Sequence, residues 1–188
     1  PYNTRYKGVN SLFNTYFFSK EELFPLAVDD DVIKDGTLYI NDLMPYTGSQ
    51  KNNINFTKVV IPPSVEIISN SAFYGTRLNE ISIPLSVTKI ENLAFHNCVY
   101  IKNIDIPDTV KSVGDAAFQN CTSLESVKIG KGMRQLNTKL FKSTALRKVT
   151  IPKNIKYIGK EAFTGCRNLT SVTIENGVRK IDDNAFGG

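Results

Sequence analysis

The sequence contains no tryptophan, one histidine and three cysteines among its 188 residues. Three cysteines are too few for a small disulfide-stapled protein, and a single histidine excludes most histidine-based metal sites and catalytic triads. No stretch approaches the roughly 18 apolar residues that a membrane-spanning helix needs. Neither a Gly-x-Gly-x-x-Gly loop nor a Walker loop is present to hold a phosphate. The sequence therefore predicts no cofactor, no metal site and no enzymatic activity.

The remaining composition is that of a folded chain. Hydrophobic residues make up 41% of the sequence and charged residues 22%, which is enough apolar surface for a core and argues against intrinsic disorder. A chain of this length fits one domain, or one small domain with an appended segment. The sequence begins at Pro1 without a methionine, so we expect it to be a piece of a longer protein.

An internal repeat dominates the sequence after residue 55. The dipeptide Ala-Phe recurs five times, with Leu140-Phe141 at the remaining position, and the phenylalanines are 22 or 23 residues apart. An isoleucine recurs with the same spacing at Ile61, Ile83, Ile106, Ile129, Ile151 and Ile174. Seven columns keep this register, which indicates six tandem units over residues 56–188.

Each unit follows one pattern, in which a Val-x-Ile pair comes first, a proline often follows, and Ala-Phe comes later. Alternation with a period of two predicts a short strand whose valine and isoleucine side chains face inward. The Ala-Phe segment is too short for an α-helix, so we expect one tight turn of 3₁₀ form. The residue two positions after the phenylalanine is predicted to take a fixed turn with a left-handed backbone; it is Gly75, Asn97, Asn120, Ser143 or Gly165.

The repeat also predicts how the core forms. A unit of 22 or 23 residues cannot bury its own apolar face, whereas stacked copies can. Aligned side chains of successive units then meet inside the stack. We therefore predict a continuous internal column of phenylalanines, made of Phe73, Phe95, Phe118, Phe141, Phe163 and Phe186.

The three cysteines share one slot of the repeat with Thr76 and Thr144. Units with cysteine have a linker one residue longer than units with threonine, which predicts two different turn closures. A slot that accepts both residue types is expected to be small and buried, with Cys98, Cys121 and Cys166 as free thiols. A disulfide between Cys98 and Cys121, on neighbouring units, is the alternative.

Residues 94–98 (Ala-Phe-His-Asn-Cys) and 146–152 (Leu-Arg-Lys-Val-Thr-Ile-Pro) closely resemble the BspA-like class of leucine-rich repeats. The resemblance covers residues 56–188, with Leu140 in place of alanine as a minor departure. It implies a leucine-rich-repeat solenoid of the α/β class, strand-dominated with short 3₁₀ turns, right-handed, and made of six tandem units. It also implies a surface protein of host-associated bacteria or parasitic protists, often an adhesin that binds host matrix proteins or other cells.

Residues 1–55 lack the repeat and are expected to form a separate segment. Because a solenoid needs a terminal cap over its exposed core, we interpret this segment as an N-terminal cap or as the end of a preceding domain. Within it, Ser19-Lys-Glu-Glu is expected to open a short helix that ends at Pro25. Leu38-Tyr39-Ile40 is expected to be a degenerate first strand, 21 residues before Ile61.

A calcium-like loop and the single histidine resemble parts of functional sites, but neither is expected to be one. Residues 31–36 together with Asp42 resemble a calcium loop, but Ile33 stands where an oxygen ligand is needed, so a solvated acidic turn is expected. His96 occupies a slot that holds five other residue types in the other units. It is therefore expected to be a solvated surface histidine rather than a catalytic one.

Positive charge is concentrated late in this chain, whose net charge is +5. Residues 126–160 contain ten basic residues and no acidic one, whereas residues 1–55 contain five basic and seven acidic ones. Stacking places equivalent positions of neighbouring units about 5 Å apart, so these cations are expected to gather. A patch of this kind attracts acidic proteins or sulfated glycans, and a solvated lysine-rich surface is the alternative. The predicted ligand-binding residues are Lys128, Lys131, Arg134, Arg147, Lys148, Lys153 and Lys156.

Together these features predict a non-enzymatic binding module of a cell-surface or secreted adhesin. Its expected partner is an extracellular protein or an acidic glycan, recognised by outward-facing strand residues. Nucleic acid is not expected as a partner, because the basic patch lacks aromatic residues for base stacking and no groove-reading helix is present. Two alternatives remain open: a structural or intracellular scaffold with an inert surface, and the docking arm of a larger enzyme.

Overall fold

The computed structural model describes residues 26–27, 33–34, 37–38, 58–61, 63 and 65–188. These residues form short strands joined by turns, and no helix occurs among them. The six repeat units start at residues 56, 78, 101, 124, 146 and 169. Each unit contributes two strands, and the strands of successive units stack in parallel, which confirms the predicted strand-dominated solenoid.

The strands are short because each crosses only one side of the coil. In the described residues they are β1 (Leu26–Ala27), β2 (Ile33–Lys34), β3 (Thr37–Leu38), β4 (Lys58–Val60), β5 (Ile67–Ile68), β6 (Glu80–Ser82), β7 (Lys89–Ile90), β8 (Asn103–Asp105), β9 (Ser112–Val113), β10 (Ser126–Lys128), β11 (Gln135–Leu136), β12 (Lys148–Ile151), β13 (Tyr157–Ile158), β14 (Ser171–Ile174) and β15 (Lys180–Ile181).

The first strands of the units stack along one side of the coil, which we call the first ladder. Within it, three separate sheets pair β4 with β6, β8 with β10, and β12 with β14. Equivalent residues lie directly opposite each other, as Val149 does to Val172. Side chains alternate as predicted, since Val149 and Ile151 are buried and Thr150 between them is exposed. This ladder therefore presents one apolar face to the core and one polar face to solvent.

The second strands form another ladder, with β5, β7 and β9 in one part and β11, β13 and β15 in the other. Its inward residues include Ile68, Ile90, Val113, Leu136 and Ile158, none of which is more than 1% exposed. Burying side chains of this size contributes about 1.5–3 kcal/mol each. The core thus lies between the two ladders and the Ala-Phe turns.

The phenylalanine column is confirmed. The rings of Phe73, Phe95, Phe118, Phe141, Phe163 and Phe186 stack in order, with centroids 5.0, 5.1, 5.6, 5.4 and 5.1 Å apart. The first five are at most 1% exposed. The spacing is close to that of neighbouring strands, so one ring per unit fills the column without gaps.

The Ala-Phe segments form tight turns, as predicted, but these are overlapping turns and not a 3₁₀ helix. In unit one, Ala72, Tyr74 and Thr76 each donate a backbone hydrogen bond to the carbonyl three residues earlier. The intervening residues Ser71 and Phe73 donate instead to the next unit, at the carbonyls of Asn92 and Ala94. Alternate residues therefore close the turn and hold the stack, whereas consecutive residues close a 3₁₀ helix.

Left-handed backbone positions produce this alternation. The predicted position, two residues after the phenylalanine, has φ of 67°, 60°, 60°, 57° and 74° in units one to five. A second position directly before the Ala-Phe or Leu-Phe pair also has positive φ, between 53° and 58°. The sequence did not predict this second position, which is occupied by Ser71, Leu93, Ala116, Lys139, Glu161 and Asn184.

The two turn closures expected from the cysteine slot are present. In unit two, the Cys98 thiol donates to the carbonyl of Phe73 in the preceding unit, at 2.9 Å. The hydroxyl of Thr144 donates instead to Phe141 within its own unit, also at 2.9 Å. Thr144 thus closes its own turn, whereas Cys98, Cys121 and Cys166 each donate to a phenylalanine carbonyl of the preceding unit.

The cysteines are free thiols, as predicted, and no disulfide joins Cys98 to Cys121. Burial raises the pKa of Cys98 to about 12 and raises the pKa of Cys121 and of Cys166 as well. The three thiols are therefore protonated at neutral pH and serve as hydrogen-bond donors within the stack.

One expectation for the N-terminal segment is wrong. Leu38 was predicted to belong to the first strand of a degenerate unit, but it lies opposite Ile68 in the second ladder. The first ladder is extended instead by β1, where Leu26 lies opposite Val59. The alternation in Leu38-Tyr39-Ile40 resembles a first strand, but the hairpin of β2 and β3 places Leu38 on the other side of the coil.

The other N-terminal expectations lie outside the described residues. These are the helix opened by Ser19-Lys-Glu-Glu, the acidic turn of residues 31–36 with Asp42 apart from its strand residues, and Tyr39 with Ile40. The interpretation of residues 1–55 as a cap or the end of a preceding domain stays a prediction.

Candidate binding surfaces

The outward face of the first ladder carries polar side chains of varied chemistry. Two positions per unit point away from the core, and in units two to six all of them are exposed. The inward position between them is valine or isoleucine in every unit. The ten outward residues are Glu80, Ser82, Asn103, Asp105, Ser126, Lys128, Lys148, Thr150, Ser171 and Thr173.

A shallow groove of about 670 Å³ lies on this face at units two to four. Its lining includes the carboxylates of Glu80, Asp105 and Asp108, with Lys128 also among the lining residues. Leu85 borders the groove with 74% of its surface exposed. The outward face is therefore acidic at units two and three and becomes basic at units four and five, so charge changes sign along the stack.

The seven predicted binding residues occupy three neighbouring parts of the surface. Lys128 and Lys148 lie on the outward face of the first ladder, and Arg147 lies just before β12. The other four lie past the first ladder, in two columns: Lys131 with Lys153, and Arg134 with Lys156. Six of the seven are exposed and Lys156 is half-buried. The stack brings them to one side of units four and five, but not into a single cluster.

Acidic residues offset part of this positive charge. Arg147 lies 3.3 Å from a carboxylate oxygen of Glu125, and Lys131 lies 4.0 Å from one of Asp108. Lys128 lies directly opposite Asp105 in the pairing of β8 with β10. Exposed pairs of this kind add little stability, but they reduce the local positive potential.

The column of Arg134 and Lys156 extends further than the sequence run indicated. Lys111 occupies the same position in unit three, and Arg179 occupies it in unit six. Lys156 donates its backbone N–H to Arg134 at 2.7 Å, and Arg179 donates to Lys156 at 2.9 Å. We call these four residues, Lys111, Arg134, Lys156 and Arg179, the basic column. Two of them were missed because the cations were counted along the chain, where Lys111 precedes and Arg179 follows the acid-free run.

No ion pair within the described residues stabilises the basic column. None of its four side chains forms an ion pair with any residue that the structure describes. Like charges on equivalent positions of neighbouring units repel each other, by about 0.8 kcal/mol in water if the charged groups are as close as the backbone spacing of about 5 Å. Only one side chain of the column forms a hydrogen bond within the described part, from Lys156 Nζ to the carbonyl of Lys153 at 2.9 Å. Folding stability therefore does not account for these cations.

His96 is not the solvated residue expected from the sequence. It is half-buried, and its ring stacks on that of Tyr74 with centroids 4.9 Å apart. Its Nδ1 atom is buried and has no hydrogen-bond partner within the described residues. The variable slot faces the previous unit, where Tyr74 provides a flat surface, so a planar ring packs there.

The environment of His96 leads to a prediction about pH. Burial lowers the pKa of His96 below its ordinary value of 6.5, although a backbone hydrogen bond opposes this in part. The folded state then holds fewer protons than the unfolded state just below pH 6.5, so stability falls as the solution is acidified through that range. We expect urea denaturation to show a smaller loss in His96→Gln, because Gln119 fills the same slot in unit three. Equal acid sensitivity of the two proteins would contradict the assignment.

The two ladders, the aromatic column and the turn-built third side define the chain as a repeat solenoid of strands. The chain belongs to the family described as the BspA type leucine-rich repeat region, whose six-copy model matches residues 49–163 and 134–188. These matches cover well over half of the chain and confirm the predicted family. A comparison with curated proteins gives no match.

Solved structures of bacterial proteins share the fold. A leucine-rich cell surface protein from Faecalibacterium prausnitzii is 29% identical with a TM-score of 0.54, over 65% of this chain and 39% of that one. A leucine-rich repeat protein from Eubacterium ventriosum is 25% identical with a TM-score of 0.60, over 68% of this chain and 41% of that one. The chain thus spans about two fifths of the length of each. In the described part, no helical segment has the length and hydropathy of a membrane span.

Proposed function

We propose that this chain is a non-enzymatic binding module of a cell-surface or secreted adhesin, and that it recognises an extracellular protein or an acidic glycan. The observation that carries the proposal is a group of cations on units three to six that form no ion pair with any described residue, and of which only Lys156 is half-buried. These cations are Lys111, Arg134, Lys148, Lys153, Lys156 and Arg179. The cell-surface description of the Faecalibacterium prausnitzii protein supports the location.

The division of residue types within each unit supports a binding role. Inward columns keep valine, isoleucine and phenylalanine through the repeats, whereas the outward positions change charge and size from unit to unit. A repeat scaffold of this kind separates the residues that hold the stack from those that meet a partner. The outward positions are thus free to carry recognition.

The charge distribution indicates the chemistry of the partner. Lys148 and Lys153 are exposed and form no ion pair with any described residue. Lys156, of the basic column, donates its ammonium to the carbonyl of Lys153. Grouped cations raise the local positive potential and speed the approach of anionic partners. The seven predicted residues, Lys128, Lys131, Arg134, Arg147, Lys148, Lys153 and Lys156, are therefore proposed as the binding region.

The proposal can be tested by retention on immobilised heparin. Reversing the charge at four positions (Lys131, Arg134, Lys153 and Lys156 to Glu) should weaken heparin binding at least about tenfold, because screened attraction falls with each cation removed. The matched control reverses four cations before the repeats, at Arg5, Lys7, Lys20 and Lys51. The control has the same net charge and should keep most of the retention.

The outcome separates binding from an inert surface. If the two quadruple variants lose retention equally, net charge and not a located site accounts for the binding. Unchanged retention in the first variant would overturn the proposed binding region and favour the scaffold alternative. Circular dichroism of both variants establishes that each one is folded.

A further inference from the structure

We propose that the basic column binds a linear anionic glycan whose chain runs along the axis of the solenoid. The inference rests on the proposed function, and it specifies the ligand class and its direction. The column consists of Lys111, Arg134, Lys156 and Arg179, one cation from each of units three to six. Only two of them belong to the region predicted from the sequence.

The stacking of the backbone sets the step along the column. Each cation follows the isoleucine that ends the Val-x-Ile pattern of its unit by five residues, so the four occupy equivalent positions of the repeat; these isoleucines are Ile106, Ile129, Ile151 and Ile174. Backbone hydrogen bonds of 2.7 and 2.9 Å join the last three members of the column. With about 4.8 Å per unit, the backbone positions of the four cations span about 14 Å along the stack.

The column also has a definite end. The same position holds Thr88 in unit two and Glu66 in unit one, both exposed. A threonine adds no positive charge and a glutamate repels an anion. A bound polyanion is therefore expected to extend from Lys111 towards Arg179 and not beyond Lys111 towards unit one.

A glycan fits this surface better than a folded acidic protein does. Protein interfaces concentrate their binding energy in buried apolar and aromatic anchors. Beside the basic column, the outward positions of the second ladder in units three to six hold Ser112, Gln135, Tyr157 and Lys180. The one aromatic residue among these four, Tyr157, is half-buried, donates its hydroxyl to Asp182 and has the Lys180 ammonium over its ring, so it is not free to serve as an apolar anchor. Cations on equivalent positions of successive units match a polymer that repeats its own charges by translation, as a sulfated or carboxylated polysaccharide does.

The test uses heparin oligosaccharides of increasing length, measured by titration calorimetry against the whole chain. Affinity should rise with length until the oligosaccharide spans about 14 Å and then level off. In the double variant Lys111→Gln with Arg179→Gln, the affinity for long oligosaccharides should fall about fivefold or more, and the plateau should be reached at a shorter length.

The control is Lys102→Gln with Arg167→Gln, which removes the same charge from two exposed cations outside the basic column and outside the proposed binding region. It should change affinity less than about twofold and keep the original plateau length. Equal losses in the two double variants, or an unchanged plateau in the first, would overturn the column while leaving the proposed binding region intact. If heparin does not bind the unmodified chain, both the basic column and the proposed binding region are overturned as heparin-binding sites.

An acidic protein partner is the competing outcome. A poly-glutamate peptide of the same extended length serves as the probe for it. If the peptide binds the unmodified chain as tightly as heparin does and shows the same loss in Lys111→Gln with Arg179→Gln, the column selects for charge alone and the glycan assignment is wrong. Binding of heparin at least about tenfold tighter supports the glycan.

Discussion

Replacing Phe118 by alanine is expected to lower the free energy of unfolding by about 3–5 kcal/mol. The Phe118 side chain is fully buried, and its ring stacks between those of Phe95 and Phe141 at 5.1 and 5.6 Å. The mutation removes contacts on both sides and leaves a cavity that the flanking units cannot close without moving both ladders. Urea denaturation followed by circular dichroism measures the loss.

The same substitution at the end of the column provides the control. Phe186 is 37% exposed, and among the described residues its ring stacks only on Phe163. Phe186→Ala should therefore cost clearly less than Phe118→Ala, since part of its surface is already in water. Phe118→Leu should recover much of the loss because it refills most of the cavity. Equal costs for Phe118→Ala and Phe186→Ala would contradict the column as the main source of stability.

The column itself could be predicted because stacked units make sequence spacing equal to spatial order. Two residues separated by one repeat are neighbours in space, so a recurring phenylalanine at intervals of 22 or 23 residues already specifies which rings touch. The same logic identified the cysteine slot, where linker length distinguished Thr144 from Cys98. The residue type in that slot, threonine or cysteine, then determines which hydrogen bond forms.

The positions with positive φ could be predicted from the sequence only in part. Gly75 and Asn97 indicate a positive φ because these residue types tolerate it. Leu93 and Glu161 give no such signal, yet they have φ of 58° and 57°. The stack imposes the conformation there through backbone hydrogen bonds between units, such as Leu93 N–H to the carbonyl of Asp115 at 3.0 Å. A constraint of tertiary origin leaves no trace in residue preference.

The candidate binding site was predictable only in part for a related reason. Counting charges along the chain found Arg134 and Lys156, which lie inside the run without acidic residues. Lys111 and Arg179 have acidic residues nearby in sequence but share the column in space. Counting along the columns of the repeat would have found all four. Conversely, Lys131 and Arg147 looked free in the sequence, but acids of the neighbouring unit face them.

At Gly130, the repeat consensus and the local packing predict opposite effects of a substitution on stability. The equivalent position holds proline in four units, so a consensus argument favours Gly130→Pro as a stabilising change. At Gly130, however, an added Cβ would lie 2.2 Å from the carbonyl oxygen of Pro107 and 2.6 Å from that of Ile106. Both Gly130→Pro and Gly130→Ala are therefore expected to lower the free energy of unfolding by about 1–3 kcal/mol, as overpacking does.

Gly75 distinguishes lack of space from backbone strain. Its φ is +67°, and a Cβ there would have no atom within 4 Å, so only conformation restricts this position. Because Asn97 and Asn120 hold the same position in other units, Gly75→Asn should be nearly neutral, whereas Gly130→Asn should cost at least as much as Gly130→Ala. Thermal melts of the Gly75 and Gly130 variants measure these differences in stability. A stabilised Gly130→Pro protein would mean that unit four can adopt the backbone of its neighbours, and that the close approach to Pro107 is not needed for stacking.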